Sequence, residues 1–259
     1  MSGFPGKAAA AAVVAVESAR LQLRSTWRHP LVLISTVVQP LTLLLIVTQR
    51  AGAAASPSRT GDLLVSVVLT SFWGGTIWTA GGILRRDRGE GTLAATLLNA
   101  HDGRLVVLGR CFGATLTTLA SLAATGIALM LLIRRPIELP GVGWVVFGFV
   151  GVLVSGTVLG LLLSCILLTT RHGNAITNAL TYPVFIFGGL LIPQTILPDR
   201  LQWISGVVSL SWARQFVVDA DWSAGGMLVL VTAGYAVAGL YLFRRILIRA
   251  KQKGSLELV

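Results

Sequence analysis

Charge is scarce in this sequence. Only 12% of its 259 residues are Asp, Glu, Lys or Arg, whereas 54% are hydrophobic, and a soluble domain of that length could not hide so much apolar surface in one core. With a mean hydropathy of +0.79, the chain is read as a polytopic membrane protein. Cysteine is nearly absent. Cys111 and Cys165 both fall in apolar runs, which excludes a disulfide framework and a cysteine-based zinc site and leaves packing as their reading. The histidines are His29, His101 and His172, near the ends of apolar runs and without a His-Glu-x-x-His spacing or a carboxylate cluster, so no metal site is expected. Gly-x-Ser-x-Gly is missing, which removes one hydrolase cue. A Gly-x4-Gly-Lys-Ser/Thr loop is missing too, so the chain cannot cradle nucleotide phosphates in the usual way. Acidic residues number 10 against 21 basic ones, a formal charge of +11. The basic residues gather at the ends of apolar runs rather than on one polar face, so topology explains them better than nucleic acid does.

About 20 apolar residues are needed to cross a bilayer core of roughly 30 Å. By that measure six spans are predicted, at Leu31–Val47, Leu63–Leu84, Leu105–Ile133, Val142–Leu168, Ala175–Ile192 and Ala224–Phe243. The N-terminal apolar run Ala8–Val16 is short and continues into a charged helix, so the first span is expected to serve as its own insertion signal. Positive charge is retained in the cytoplasm. Fifteen of the 21 basic residues fall on one side of the six-span layout, at the two termini, between spans two and three, at Arg110 just inside the third span, and at Arg171. Both termini are therefore expected to be cytoplasmic. The parts are then residues 1–30 as tail and interfacial helix, 31–243 as the transmembrane domain, and 244–259 as a basic cytoplasmic tail.

On a helix before the first span, Ala12, Val16, Ala19, Leu23 and Trp27 fall in one arc, and Glu17, Arg20, Arg24 and Arg28 in the next. That pattern suits a helix lying in the membrane interface with Trp27 at headgroup depth, ended by Pro30. It reads either as a plain juxtamembrane anchor or as an elbow that helps cradle a cytoplasmic partner. Between spans five and six, Pro193–Trp222 is aromatic yet interrupted by polar residues, and a crossing there would export the C-terminal basic cluster. Short helices dipping into the outer leaflet are expected instead, opened by Pro193 and Pro198 and anchored by Trp203, Trp212 and Trp222. Between spans two and three lies a charged island, Arg85-Arg86-Asp87-Arg88-Gly89-Glu90-Gly91-Thr92-Leu93, running on through Leu97, Leu98 and Asn99 to Gly103-Arg104.

The island resembles the cytoplasmic loop of ABC type-2 exporter permeases, through Arg88-Gly-Glu90-Gly-Thr92-Leu93 followed by Leu97-Leu98. The segment Pro183-x4-Gly188-Gly189-x3-Pro193-x4-Pro198, with Leu201, Trp203 and Ile204 after it, resembles the same family's fifth span and re-entrant helices. It departs from the family at Leu210-Ser211-Trp212, where a proline often stands. The resemblance covers the whole chain. It implies an all-helical integral membrane fold with six transmembrane helices, an N-terminal interfacial helix, a cytoplasmic coupling helix between spans two and three, and re-entrant helices between spans five and six. It also implies a permease that pairs with a separate ATPase subunit and with a second permease copy or paralogue. ATP and Mg would be used by that partner, and no cofactor would be bound by this chain.

On this reading the helix after Gly91 sits in a groove of the ATPase, with Leu93 and Leu97, at i and i+4, sharing one face. Arg86, Asp87, Arg88, Glu90 and Thr92 supply the rest of the coupling region, the charges steering and fixing register. Asn174, Thr177, Asn178, Thr181 and Tyr182 form one stripe on the fifth span, either facing a translocation path or making interhelical hydrogen bonds. Pro193, Pro198, Trp203 and Trp212 would form an outer gate. Gly109, Gly113 and Thr117 on the third span, and Gly156, Gly160 and Ser164 on the fourth, read as packing seams. The function expected is outward movement of a hydrophobic or amphipathic molecule (drug, lipid or glycan precursor) across the plasma membrane, driven by a partner ATPase. An ion-gradient-driven carrier, a membrane scaffold and a membrane-embedded enzyme are the alternatives, although no central ionisable residue of the kind proton-coupled carriers use occurs in the spans.

Overall fold

The structure is a computed structural model that describes residues 7–27, 38, 41–42, 57–97, 102–133, 138, 140–190 and 199–253. Among the described residues it is all helical, without a strand. Four stretches are long and apolar enough to cross a membrane: Thr60–Gly89, Gly103–Ala128, Val142–Thr169 and Trp222–Ala250. They correspond to the second, third, fourth and sixth expected spans. The first expected span, Leu31–Val47, lies almost wholly outside the described residues. The fifth is a shorter helix than expected, for a reason visible in its sequence: it contains Pro183 and stops at Phe187, before Gly188 and a left-handed Gly189 (φ +68°).

Helix α1 (Lys7–Trp27) packs along α5 (Gly103–Ile133). Helix α2 (Pro57–Thr79) turns at Ala80–Gly82 and resumes as α3 (Ile83–Gly89), followed by the one-turn α4 (Leu93–Leu97). The second span therefore does not give way to a loop at Leu84, because helical structure carries on through the arginines of the island. Helices α6 (Val142–Thr169), α7 (Gly173–Phe187) and α10 (Trp222–Lys253) complete the long elements, and α8 (Asp199–Val207) and α9 (Ser209–Asp219) form the linker before α10. Two apolar clusters hold the bundle. One gathers Leu69, Phe72, Trp73, Leu122, Val152, Phe216 and Leu228, and the other gathers Ile83, Leu84, Leu93, Leu97, Val107, Leu168 and Phe243 around the island.

In lipid every polar group must find its partner inside the protein. Several buried threonines do so by donating to the carbonyl one turn back: Thr70 to Ser66 O at 2.7 Å, Thr117 to Gly113 O at 2.8 Å, Thr118 to Ala114 O at 3.0 Å. Hydrophobicity alone does not hold helices together in such a medium, so close backbone approach through small residues does. Ala15 and Ala19 of α1 lie on Gly109 and Gly113 of α5, where a Cβ would run into the Ala15 and Ala19 carbonyl oxygens. Gly156 and Gly160 likewise receive Phe72 and Ala80. Both expected seams are therefore packed.

The seam also fixes how α1 is turned. Ser18, Ala19, Gln22 and Thr26 are buried against the protein, whereas Val13, Val16 and Leu21 are exposed. The apolar arc expected to rest on the membrane is divided: Ala12 and Val16 are exposed, Leu23 is half-buried and Ala19 is buried against α5, because small residues win the contact. Arg20 and Arg24 stay exposed, Arg20 donating to Glu17 at 2.6 Å. Arg28 and the side chain of Trp27 lie outside the described residues.

Helices α8 and α9 are short, as the linker sequence predicts, and are tied to α2, α6 and α10. Tyr235 donates to Val207 O at 2.5 Å, Trp144 donates to Phe216 O at 2.6 Å, and Arg214 donates to Asp62 Oδ1 at 2.6 Å from Nη2 and to Ser66 Oγ at 2.9 Å from Nε. Asp221 then opens α10, accepting from the Ser223 hydroxyl and N–H, which hold its carboxyl below the usual carboxylate range. A lowered pKa stabilises the fold above the unfolded value and loses that contribution as pH falls through the folded one. Acidification below the ordinary aspartate value of about 3.9 should therefore fray the first turn of α10, read as faster amide exchange at Ser223 and Ala224, and Asp221→Ala should abolish that pH dependence. Separately, Gly113→Leu should cost about 1–3 kcal/mol by overpacking, lowering Tm in detergent and exposing α1 to trypsin at Arg20 and Arg24. Gly143→Ala, where a Cβ meets nothing within 4 Å, should change neither.

Candidate functional site

The island owes its shape to one glycine and one buried acid. Helix α3 ends at Gly89, with Glu90 as its cap, and Gly91 takes a left-handed φ of +71°. Gly91 N then donates to Arg88 O at 3.2 Å and Thr92 N to Asp87 O at 2.8 Å, the paired bonds of a Schellman turn, in which glycine carries no Cβ penalty. The reversal sends α4 back over α3. Leu93 and Leu97, 3% and 4% exposed, do share one face, and it is turned into the cluster with Ile83, Leu84 and Val107. These two leucines anchor the island to its own protein.

Asp87 is only 2% exposed. Thr96 Oγ1 donates to its Oδ2 at 2.8 Å and Arg110 Nη1 donates to the same oxygen at 2.6 Å. Arg110 also donates from Nε to Gln22 Oε1 at 3.3 Å, and Arg86 donates from Nη2 to Thr79 O at 2.6 Å. The cluster thus joins α1, α2, α3, α4 and α5 beneath the island. A cavity of about 60 Å³ beside it is lined by Gln22, Ser25, Thr26, Thr79, Arg86 and Glu90, together with Asp87 and Arg110, room enough for bridging water. The sequence reading placed Asp87 among the coupling charges and counted Arg110 only as a topological marker. Gln22 and Thr96 were missed. The available signal was Arg110 itself, an ionisable residue seven places inside an apolar helix, which calls for a partner.

What the island turns outward is small. Gly89, Glu90, Gly91, Thr92 and Ala95 are exposed, while Arg85, Arg86 and Arg88 are half-buried. The Arg85 side chain lies close to Gly173, where α7 begins. On α7 the expected polar stripe is split. Thr177 and Thr181 are buried and donate to Gly173 O and Thr177 O at 2.8 and 2.7 Å, whereas Asn178 is exposed and Tyr182 is 67% exposed. The Asn174 side chain lies outside the described residues, as do Pro193 and Pro198. Trp203 is exposed, and Trp212 donates from Nε1 to Gly206 O at 2.8 Å across the α8–α9 junction. Among the described residues no group of His, Cys, Asp or Glu is arranged to hold a metal ion.

A bundle with four helical stretches long and apolar enough to cross a membrane is that of an integral membrane protein. A family model described as ABC-2 type transporter matches residues 17–222, and the chain belongs to that family. Such membrane domains are transport subunits rather than catalytic ones, and the match begins within α1 and takes in the island and the α8–α9 linker. No curated protein matches the chain.

Removing one partner of a buried ion pair leaves the other unsatisfied. Asp87→Ala should therefore destabilise the permease by about 2–3 kcal/mol, seen as a lower Tm in detergent, whereas exposed Glu90→Ala should stay within about 0.5 kcal/mol.

Proposed function

We propose that this chain is the permease subunit of an exporter, moving a hydrophobic or amphipathic substrate such as a drug, lipid or glycan precursor outward across the plasma membrane while a separate ATPase subunit hydrolyses ATP with Mg. The observation that carries this reading is the construction of the island: a loop turned outward with small residues, held from beneath by a buried ion pair. A surface of Gly89, Glu90, Gly91, Thr92 and Ala95 lets another protein approach the backbone closely, and a loop that only solvated a span end would not need to be tied to α1, α2 and α5. The chain has no phosphate-binding loop of its own, which fits an energy source in a partner.

The exposed surface narrows the docking geometry. With Leu93 and Leu97 committed to the core, the partner meets Ala95, Thr92 and the Gly89–Gly91 turn, and Glu90 is the steering charge on that face. Six spans with both termini cytoplasmic fit the positive-inside distribution, the described helices supplying four, α7 a shorter fifth, and Leu31–Val47 the sixth apolar run. Helix α10 exposes Val229, Leu230, Val237 and Tyr241, apolar surface for lipid, and a second permease copy or paralogue completes the translocation path. Asn178 and Tyr182 on the exposed side of α7 are the candidates to meet substrate, because Thr177 and Thr181 spend their hydroxyls on their own helix.

The test is co-purification with the ATPase subunit. Ala95→Trp should weaken recruitment at least about tenfold by wedging the docking face, as loss of an interface hot spot does, with Tm unchanged. Glu90→Lys should act mainly on association rate and its salt dependence. If tagged wild-type protein recruits no ATPase, or Ala95→Trp leaves recruitment and vesicle transport intact, the exporter reading fails.

A further inference from the structure

The Arg110 guanidinium is shared in an unusual way. It donates to Asp87 on the island helix and, through a different nitrogen, to Gln22 on α1, while its own backbone belongs to α5. Arg110 thus links the element carrying the docking face, the N-terminal helix and a membrane-crossing helix. Its partners are in turn fixed: Asp87 by Thr96 of α4 at 2.8 Å, and Gln22 by burial on the Ala15–Ala19 side of α1 packed on Gly109 and Gly113. Neighbouring Arg86 is directed to Thr79 O instead. The Arg110–Asp87 ion pair, at 2.6 Å, joins the island to a membrane-crossing helix.

From this geometry we infer that Arg110 is a positioning residue for transport: it locks the island, α1 and α5 into one body, so that movement imposed on the docking face reaches the membrane instead of being absorbed by the loop. This rests on the ATPase-driven reading above. An apolar contact through Leu93 and Leu97 can slide by small amounts, whereas a charge-assisted hydrogen bond at 2.6 Å to a buried carboxylate fixes direction as well as distance. Loss of the pair then separates hydrolysis from transport while recruitment persists, because the outward residues are untouched.

The experiment must keep the fold intact. Removing both charges together, in Asp87→Asn with Arg110→Gln, avoids a lone buried ion, and Arg110→Lys keeps the charge. The double variant should recruit the ATPase and hydrolyse ATP within about twofold of wild type, yet move about tenfold less substrate per ATP, the scale of a typical coupling free energy. Arg110→Lys should recover most of that ratio. A second readout needs no ATPase: spin labels at Arg24→Cys and Thr92→Cys, in a chain whose native Cys111 and Cys165 are buried, should give one narrow distance in wild type and a broad distribution in the double variant. Unchanged transport per ATP, an unchanged distance distribution, or a parallel fall in Tm, recruitment and transport would overturn the proposal. Absent recruitment by wild type combined with a broadened distance in the double variant would overturn the exporter reading while leaving the mechanical lock in place.

Discussion

The packing around the charged island depends on satisfying one buried carboxylate. Asp87 is enclosed within a bundle whose surroundings are apolar, and an ionised acid there is tolerated only if paired and hydrogen-bonded. The pairing dictates the neighbourhood. Arg110 has to come from α5, Thr96 has to be carried over α3 by the reversal at Gly91, and Gln22 has to be close enough to accept from the guanidinium Nε. Once these are in place, Leu93 and Leu97 have nowhere to go but the cluster beneath. A short, one-turn helix such as α4 would have little stability by itself, and it is tertiary packing that makes it part of the fold.

The same economy governs helix association. A bundle in lipid gains little by hiding leucine from leucine, so it is assembled from places where backbones nearly touch and from polar groups that cannot be left alone. Ala15 and Ala19 on Gly109 and Gly113 make the first kind of contact, and Ser155 donating to Ser209 at 2.8 Å makes the second. Helix α1 shows which wins when the two criteria disagree with hydrophobicity. Its small and polar residues face the protein, while Val13, Val16 and Leu21 are left outside.

Much of this was legible in the sequence, and the illegible part has a common cause. Span positions come from runs of apolar residues, a one-dimensional signal, and the runs at residues 63–84, 105–133, 142–168 and 224–243 map onto long helices. The seams at Gly109 and Gly113, and at Gly156 and Gly160, came from spacing on one helix. What spacing does not reveal is which side of a short helix is buried. Leu93 and Leu97 share a face whether that face meets a partner or the core, and only the position of α5 and α6 decides it. Likewise the stripe from Asn174 to Tyr182 spans an arc wide enough for Thr177 and Thr181 to be covered while Asn178 and Tyr182 are not. Long-range pairs such as Arg110 with Asp87, or Arg214 with Asp62, leave no periodic trace at all.

The second of those pairs gives the bundle a mechanical symmetry. Asp62 lies near the start of α2 and is held by Arg214 of α9 at 2.6 Å, and Asp87 lies in α3 and is held by Arg110 at the same distance. The stretch from Thr60 to Gly89 is therefore gripped at both ends by ion pairs, one tied to the α8–α9 linker and the other to the island. Between the grips the regular helical ladder is interrupted at a single described place. Gly81 N donates to Thr76 O, five residues back, at 3.0 Å, and Ile83 N to Ala80 O at 3.3 Å, before Arg86 N to Gly82 O restores the usual spacing. A rod pinned at its ends and loosened at one joint has two ways to respond to a push: it shifts as a whole, or it bends at the joint. Packing stiffens the joint, since Ala80 sits on Gly160 of α6 and Cys111 Sγ of α5 donates to Ala80 O at 4.0 Å. The glycines at the turn permit bending, but these neighbours restrict it.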